Sequence, residues 1–212
     1  MIINPVLDIT EYHIPLEMQD VLSNTNEFAL EIGFGDGDFL IQIAKETPHL
    51  NYVGIEIKRS RFTSAVNNLL KQGIDNVKLL NMDATIALDE VFKPSTFIDV
   101  YINFPDPWPK DRHKKHRIIN NFFLYKLSNI MKPGGLLEIA SDHRDYVEHM
   151  LTVFNESSRF KNLLQSPGYT NKLTNRPLTK YEIGYRMEGR EIFYLTYANQ
   201  DDSLMNYQQI SK

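Results

Sequence analysis

Carboxylates, glycines and a single tryptophan recur in this chain at spacings that could do chemistry. The first group is the turn Glu31-Ile32-Gly33-Phe34-Gly35-Asp36-Gly37, which leaves an apolar run beginning at Phe28. Glycines directly after a strand allow a tight turn and close approach of a ligand to the backbone, with a helix amino end beyond. The spacing is Gly-x-Gly-x-Gly rather than the Gly-x-Gly-x-x-Gly of dinucleotide sites, and Asp38 at the helix start repels a pyrophosphate. Glu56 closes the next apolar run, 19 residues after Gly37 (56 − 37), where a carboxylate can accept from both hydroxyls of a ribose. Asp83 closes the third run, where it can meet an adenine amino group. Each feature alone is ordinary. Together, in register, they suit a ligand that is nucleoside-like and cationic rather than phosphorylated, and S-adenosylmethionine has that chemistry.

The second group is the stretch NFPDPWPKDRHKKHR, Asn103 to Arg117. Pro105, Pro107 and Pro109 fix their own φ and push Phe104, Asp106 and Trp108 toward extended conformations, so a stiff, non-helical loop is predicted. It carries the only tryptophan of the chain. A cationic cluster follows at Arg112, Lys114, Lys115 and Arg117, with His113 and His116 between them. Such a run is either a solvated helix start or a patch for phosphates. The two histidines are three residues apart, but the surrounding cations disfavour a shared metal, and no metal is expected.

These residues need elements to position them. The 212 residues, 42% hydrophobic and 24% charged, fit one globular domain with a substantial core. Without cysteine, disulfides, thiolate metal sites and cysteine nucleophiles are excluded, and a reducing, cytoplasmic compartment is expected. MIINPVLDIT has neither a basic n-region nor an unbroken apolar core, so no signal peptide is read there. No run approaches the ~18 apolar residues that span a bilayer. A formal charge of −4 opposes indiscriminate coating of nucleic acid but permits a local basic patch.

Apolar runs alternate with helical periodicity. Strands are predicted at 28–35, 51–57, 76–83, 98–104 and 135–141. Helices are predicted at 38–46, 58–72, 118–131 and 143–157, with stops at Pro48, Gly73 and Lys132-Pro133-Gly134-Gly135. That order implies an α/β fold, a doubly wound and mainly parallel sheet. After Ser157 a strand at 159–165, a polar turn-rich stretch at 166–190 without an obvious helix, and a strand at 191–199 suggest an antiparallel pair at the sheet edge. Residues 1–27 read as a variable lead-in, 28–199 as the single domain, and 200–212 as a loose tail.

The glycine turn with Glu31, Glu56 and Asp83 resembles the class I S-adenosylmethionine-dependent methyltransferases, which implies a seven-stranded, Rossmann-like sheet with its last strand antiparallel. The proline loop is similar to a narrower signature, the Pro-Asp-Pro-Trp-Pro-Lys of the tRNA (guanine-N7)-methyltransferase family. Thr179-Lys180-Tyr181-Glu182 with Gly189, and Ser141-Asp142, match further motifs of that family, so the resemblance covers about Phe28 to Tyr197. It implies methylation of guanine N7 in tRNA, at the variable-loop guanosine 46. It implies cofactor contacts from Glu31, Gly33, Gly35, Gly37, Glu56, Asp83 and Asp106, with Asp106 also catalytic. Lys110, Asp142, Thr179, Lys180, Tyr181 and Glu182 are implied to hold substrate, and Arg112, His113, Lys114, Lys115, His116 and Arg117 to face RNA. Asp111 and His116 depart from the family pattern, where further bases are common, which weakens the patch. Asp142 has the alternative of capping a helix near His143, and Lys180 and Glu182 that of surface pairing. The expected partner is tRNA, with no membrane and no obligate protein partner, the chain acting as a monomer or homodimer.

The chemistry agrees. Guanine N7 carries a free lone pair and needs no general base. A carboxylate at the purine stabilises the positive charge that develops there and can accept from N1–H and the exocyclic amine, which selects guanine. Trp108 offers a wall or stacking surface, and a base in folded RNA must be turned outward to react. Two rivals stay open: methylation of an exocyclic amine, through a loop related to (Asn/Asp)-Pro-Pro-aromatic, and a non-catalytic RNA-binding or adenosine-sensing module.

Overall fold

A computed structural model describes residues 4–172 and 176–200. In chain order the elements are α1 (Met18–Val21), β1 (Phe28–Ile32), α2 (Asp38–Glu46), β2 (Asn51–Ile55), α3 (Arg59–Gln72), β3 (Val77–Leu80), α4 (Ala84–Glu90), β4 (Phe97–Asn103), α5 (Asn121–Ile130), β5 (Met131–Ser141), α6 (Arg144–Glu156), β6 (Phe160–Asn162), α7 (Lys180–Met187) and β7 (Phe193–Asn199). The strands form one sheet in the order β3-β2-β1-β4-β5-β7-β6. β1 to β5 pair in parallel, while β7 runs antiparallel to both β5 and β6. From β1 the chain winds one way to β2 and β3 and the other way to β4 and β5. The crevice at the carboxyl ends of β1 and β4 is therefore the switch point where ligands bind in such sheets.

Both faces of the sheet are covered, which explains why β1, β2 and β3 are buried at every position. α2 and α3 lay Phe39, Leu40, Ile43, Ala65 and Leu69 on Tyr52, Leu79 and Tyr101. On the other face α4, α5 and α6 pack Leu88, Phe123, Leu127, Tyr146 and Met150 against Val53, Val100 and Leu137. The lead-in joins this second layer: Leu7, Leu16, Met18, Val21 and Leu22 are buried there. It also covers the free edge of β3, where Leu79 N–H donates to Pro5 O at 2.7 Å and Leu7 N–H to Leu79 O at 2.8 Å, a common protection for an unpaired strand. Its weak periodicity in the sequence reflects a strap that touches the core at scattered points.

Local signals explain most boundaries. Gly73 closes α3 in the left-handed region at φ +65°. α5 starts later than its periodicity suggests because Asn120 caps it, accepting from Phe123 N at 3.0 Å. Gly54 lies mid-strand in β2 because a Cβ there would meet Phe34, Leu40 and Leu79 at 2.6–2.9 Å, so its absence lets Phe34 seat the glycine turn on the sheet. Three helices lie where the sequence predicts none, the first of them the four-residue α1 in the lead-in. α4 is short and capped by Asp83. α7 lies inside the stretch expected to hold no helix, and Thr179 caps it by accepting from Glu182 N at 2.9 Å. Thr-x-x-Glu is a helix-start spacing in its own right; polar composition and Gly184 hid it. Gln200 N–H donates to Arg159 O, and the rest of the expected loose tail lies outside the described residues. Among the described residues, no helix is long and apolar enough to cross a membrane.

Candidate active site

A cleft of about 800 Å³ opens at the switch point. Its walls take Glu31, Gly33 and Gly35 from the first turn, Glu56 after β2, Asp83 after β3, Asp106 and Trp108 from the proline loop, and Thr179, Lys180 and Tyr181 from the start of α7. The carboxylates lie at carboxyl ends of neighbouring parallel strands, so the sheet sets their spacing. Asn103, Ile57, Met82, Arg61 and Tyr185 also line the cleft and were not singled out from the sequence.

The glycine half is built to receive a ligand rather than to fill itself. Gly33, Gly35 and Gly37 have φ of +77°, +57° and +83°, a run of left-handed backbone that only glycine adopts without strain. A Cβ at Gly33 would meet nothing within 4 Å, so the backbone there faces open space. Glu56 is held by backbone donors: Oε2 accepts from Gly35 N at 3.1 Å and Oε1 from Lys58 N at 2.8 Å. Each oxygen keeps a further lone pair for a hydroxyl. Asp83 spends Oδ1 on capping α4, at 2.8 Å from Thr85 N and 3.2 Å from Ile86 N, which leaves Oδ2. Ile57, 61% exposed, presents an apolar surface beside them.

Glu31 is the most perturbed group of the site. It is 1% exposed, and burial pushes its carboxyl up to about 7; the Asn103 hydrogen bond and the Arg176 charge act against that rise. Asn103 Nδ2 donates to Glu31 Oε1 at 2.8 Å, and Arg176 donates to Asn103 Oδ1. The Arg176 guanidinium is wedged 4.9 Å over the Phe39 ring and 5.6 Å from that of Tyr194. Among the described residues Glu31 Oε2 is buried without a partner. A carboxyl oxygen left unsatisfied in a cleft lined by further carboxylates and by glycine backbone fits, once ionised, the ammonium of S-adenosylmethionine.

The proline loop departs from its expected backbone. Phe104 and Trp108 precede prolines, yet they have φ of +51° and +42°. Left-handed backbone at such residues costs on the order of 1–3 kcal/mol each, and tertiary contacts outweigh the local preference. Phe104 N–H donates to Ala140 O at 2.8 Å, and its ring meets Tyr185 edge-on at 5.5 Å. Trp108 packs against His116 and His113 at centroid distances of 5.3 and 5.8 Å. Asp106 is exposed, and among the described residues its carboxylate accepts no hydrogen bond and makes no ion pair: it stands free in the cleft wall.

Several expected contacts are turned elsewhere. Arg117 is 3% exposed and pairs with Asp145, so its guanidinium is turned inward from the surface of the basic stretch. Lys114 is neutralised by Asp111 at 3.0 Å and Asp145 at 3.3 Å. The basic stretch forms a 3-10 helix over Asp111–His116, on which Arg112, Lys115 and His116 are exposed, as is Lys110 before it. Glu182 is fully buried, accepting from Arg186 Nε at 3.1 Å and from the Tyr194 hydroxyl, so it ties α7 to β7 instead of reaching the cleft. Asp142 caps nothing: its carboxylate accepts from Arg190 Nη1 at 2.8 Å, while Ser141 Oγ takes the His143 N–H. Lys180 pairs with Asp38 at 2.6 Å and Tyr181 accepts from Arg61, which draws α7 across the glycine turn. Among the described residues no group of His, Asp and Glu is arranged to hold a metal ion.

A family model described as "Putative methyltransferase" matches residues 25–195. The chain is 36% identical over 184 residues to a tRNA (guanine-N(7)-)-methyltransferase of Pseudoalteromonas translucida, covering 86% of this chain and 76% of the relative. It is 36% identical over 173 residues to another of Bacillus subtilis, covering 82% and 81%. Among solved structures it is similar to an antibiotic-related methyltransferase, with a TM-score of 0.60 at 15% identity over 90% of this chain and 97% of that one. A second is an S-adenosylmethionine-dependent O-methyltransferase from Thermotoga maritima, with a TM-score of 0.56 at 15% identity over 87% and 63%. These structural likenesses support the fold.

Proposed function

Since the chain belongs to the family of S-adenosylmethionine-dependent tRNA (guanine-N7)-methyltransferases, we propose that its acceptor is the variable-loop guanosine at tRNA position 46 and that Asp106 acts on that base. The observation that carries this reading is the shared cleft: the glycine turn with Glu31, Glu56 and Asp83 forms one wall, and Asp106 with Trp108 forms another. Gly33, Gly35 and Gly37 shape the backbone for close approach. Glu31 takes the ammonium, Glu56 the ribose hydroxyls and the second oxygen of Asp83 the adenine amine, with Ile57 against the base. S-adenosylmethionine, when bound, supplies a methyl group on a positively charged sulfur.

Asp106 then has two tasks, beside the cofactor and at the purine. It accepts from guanine N1–H and the exocyclic amine, which adenine cannot match. It also stabilises the positive charge that the ring acquires as N7 is alkylated, where a preorganised carboxylate has most effect. No group has to remove a proton before attack. Lys110, Arg112 and Lys115 are the exposed cations for phosphates, His113 and His116 back the Trp108 wall, and Lys180 and Tyr181 flank the base from α7.

Asp106→Asn tests the assignment, because it keeps size and removes charge. Single-turnover methylation of saturating tRNA is expected to fall by about 10²–10³, with tRNA affinity changed far less. The product, read as a nucleoside by mass spectrometry, is 7-methylguanosine; a methylated exocyclic amine would establish the rival reaction. A folded Asp106→Asn enzyme at wild-type rate would remove Asp106 from catalysis.

A further inference from the structure

The geometry points to Arg117 and Asp145 as positioning residues that hold the Asp106–Trp108 segment in its reactive shape, rather than as contacts for RNA. This rests on the reading of Asp106 given above and adds a device behind it. Arg117 closes the basic stretch, yet its side chain is withdrawn from solvent, 3% exposed. Nε donates to the carbonyl of Pro107 at 2.9 Å, and that carbonyl lies between Asp106 and Trp108. Nη2 pairs with Asp145 in the first turn of α6. The guanidinium carbon lies over the Tyr146 ring, 4.8 Å from its centroid, and the Tyr146 hydroxyl accepts from Ile119 N at 3.3 Å. One planar cation thus joins the loop to the helix layer behind it at three points.

The loop needs such a tie. Trp108 sits at φ +42° before a proline, a conformation that persists only when its surroundings over-determine it. The Pro107 peptide carbonyl is held by Arg117, and the Trp108 ring by the two histidines. Asp145 completes the brace from an exposed position. Arg117 holds the Asp145 carboxyl below its ordinary range, and Lys114 adds to that effect. The planar fork matters more than the charge, since a lysine ammonium cannot reproduce the fixed pair of donor directions or the stacking on Tyr146.

The test compares Arg117→Lys, Arg117→Ala and Asp145→Asn in the full chain. Trp108 is the only tryptophan, so its emission reports the loop directly. The brace predicts that Arg117→Lys, although it keeps the charge, shifts Trp108 emission and lowers the single-turnover rate at saturating tRNA about tenfold or more. The salt dependence of tRNA binding stays as in the wild type. A phosphate contact predicts the reverse: Arg117→Lys close to wild type in rate and emission, and Arg117→Ala reducing the logarithmic salt slope by about 0.7–0.9. That pattern would overturn the proposal. Asp145→Asn removes a charge at a half-exposed site and leaves the core intact, so it decides the matter if the Arg117 variants do not fold. Altered emission with a several-fold slower rate supports the brace, and unchanged emission and rate refute it. Wild-type formation of 7-methylguanosine and loss of activity in Asp106→Asn, measured alongside, check the underlying reading separately.

Discussion

Glu31 should make cofactor binding proton-linked. Its carboxyl lies at about 7 instead of 4.5, chiefly through burial. For a carboxyl whose folded pKa is raised, the folded state holds the proton more tightly than the unfolded state. The corresponding stability is therefore full below about pH 4.5 and is lost as pH rises toward about 7. At about 1.4 kcal/mol per tenfold in proton affinity, the cofactor-free protein loses about 3 kcal/mol across that window. An ammonium placed against the unpartnered Oε2 favours the ionised form, so binding must expel a proton wherever Glu31 is neutral. Affinity should then rise with pH, at most tenfold per unit, between about pH 5.5 and 7. The assay is calorimetric titration with S-adenosylhomocysteine, which carries the same amino-acid ammonium and is not consumed, in two buffers of different ionisation enthalpy. Close to one proton should be released at about pH 6 and fewer as pH approaches 7.5. Glu31→Gln keeps the Asn103 contact and should bind more weakly, with a flat profile; without ligand it should be more stable than the wild type near pH 7.5. Equal proton release in wild type and Glu31→Gln would refute the reasoning.

Other expectations are simpler. Glu56→Ala should weaken cofactor affinity by about 1.5–3 kcal/mol per lost charge-assisted bond, with a further loss from releasing Gly35, read by the same calorimetry. Asp83→Ala should show a smaller affinity loss together with about 1 kcal/mol of lost stability in denaturant titration, because it also caps α4. Replacing Arg112 and Lys115 together by Ala should reduce the logarithmic salt slope of tRNA binding by about 1.4–1.8, whereas Lys114→Ala should barely change it, since two carboxylates already neutralise that lysine.

The parallel half of the fold was legible because its strands are buried on both faces and read as unbroken apolar runs, while its helices carry a clear apolar stripe. The carboxylates were legible for the same reason: Glu31, Glu56 and Asp83 are polar residues at the ends of apolar runs. What the sequence hid was direction. Arg112 and Arg117 look alike in a basic run, yet one side chain is exposed and the other is 3% exposed, because a 3-10 turn aims Arg117 at Asp145. Glu182, expected to hold substrate or else to pair at the surface, is fully buried, since its partner Tyr194 arrives from a strand later in the chain. Asn103 and Arg176 carry no local signal at all; they matter through contacts that only the closed sheet creates.

That late arrival bears on synthesis. Arg176, Glu182 and all of β7 lie beyond most of the sheet, and 73 residues separate Asn103 from the guanidinium that holds it. At roughly 5–20 residues per second a ribosome takes about 4–15 s to cover that distance. During this interval the nascent chain already carries the glycine turn, Glu56, Asp83 and the proline loop, but β5 shows an unpaired edge and Glu31 lacks its compensating cation. The emerging polypeptide is thus exposed to edge pairing with its neighbours on the same polysome.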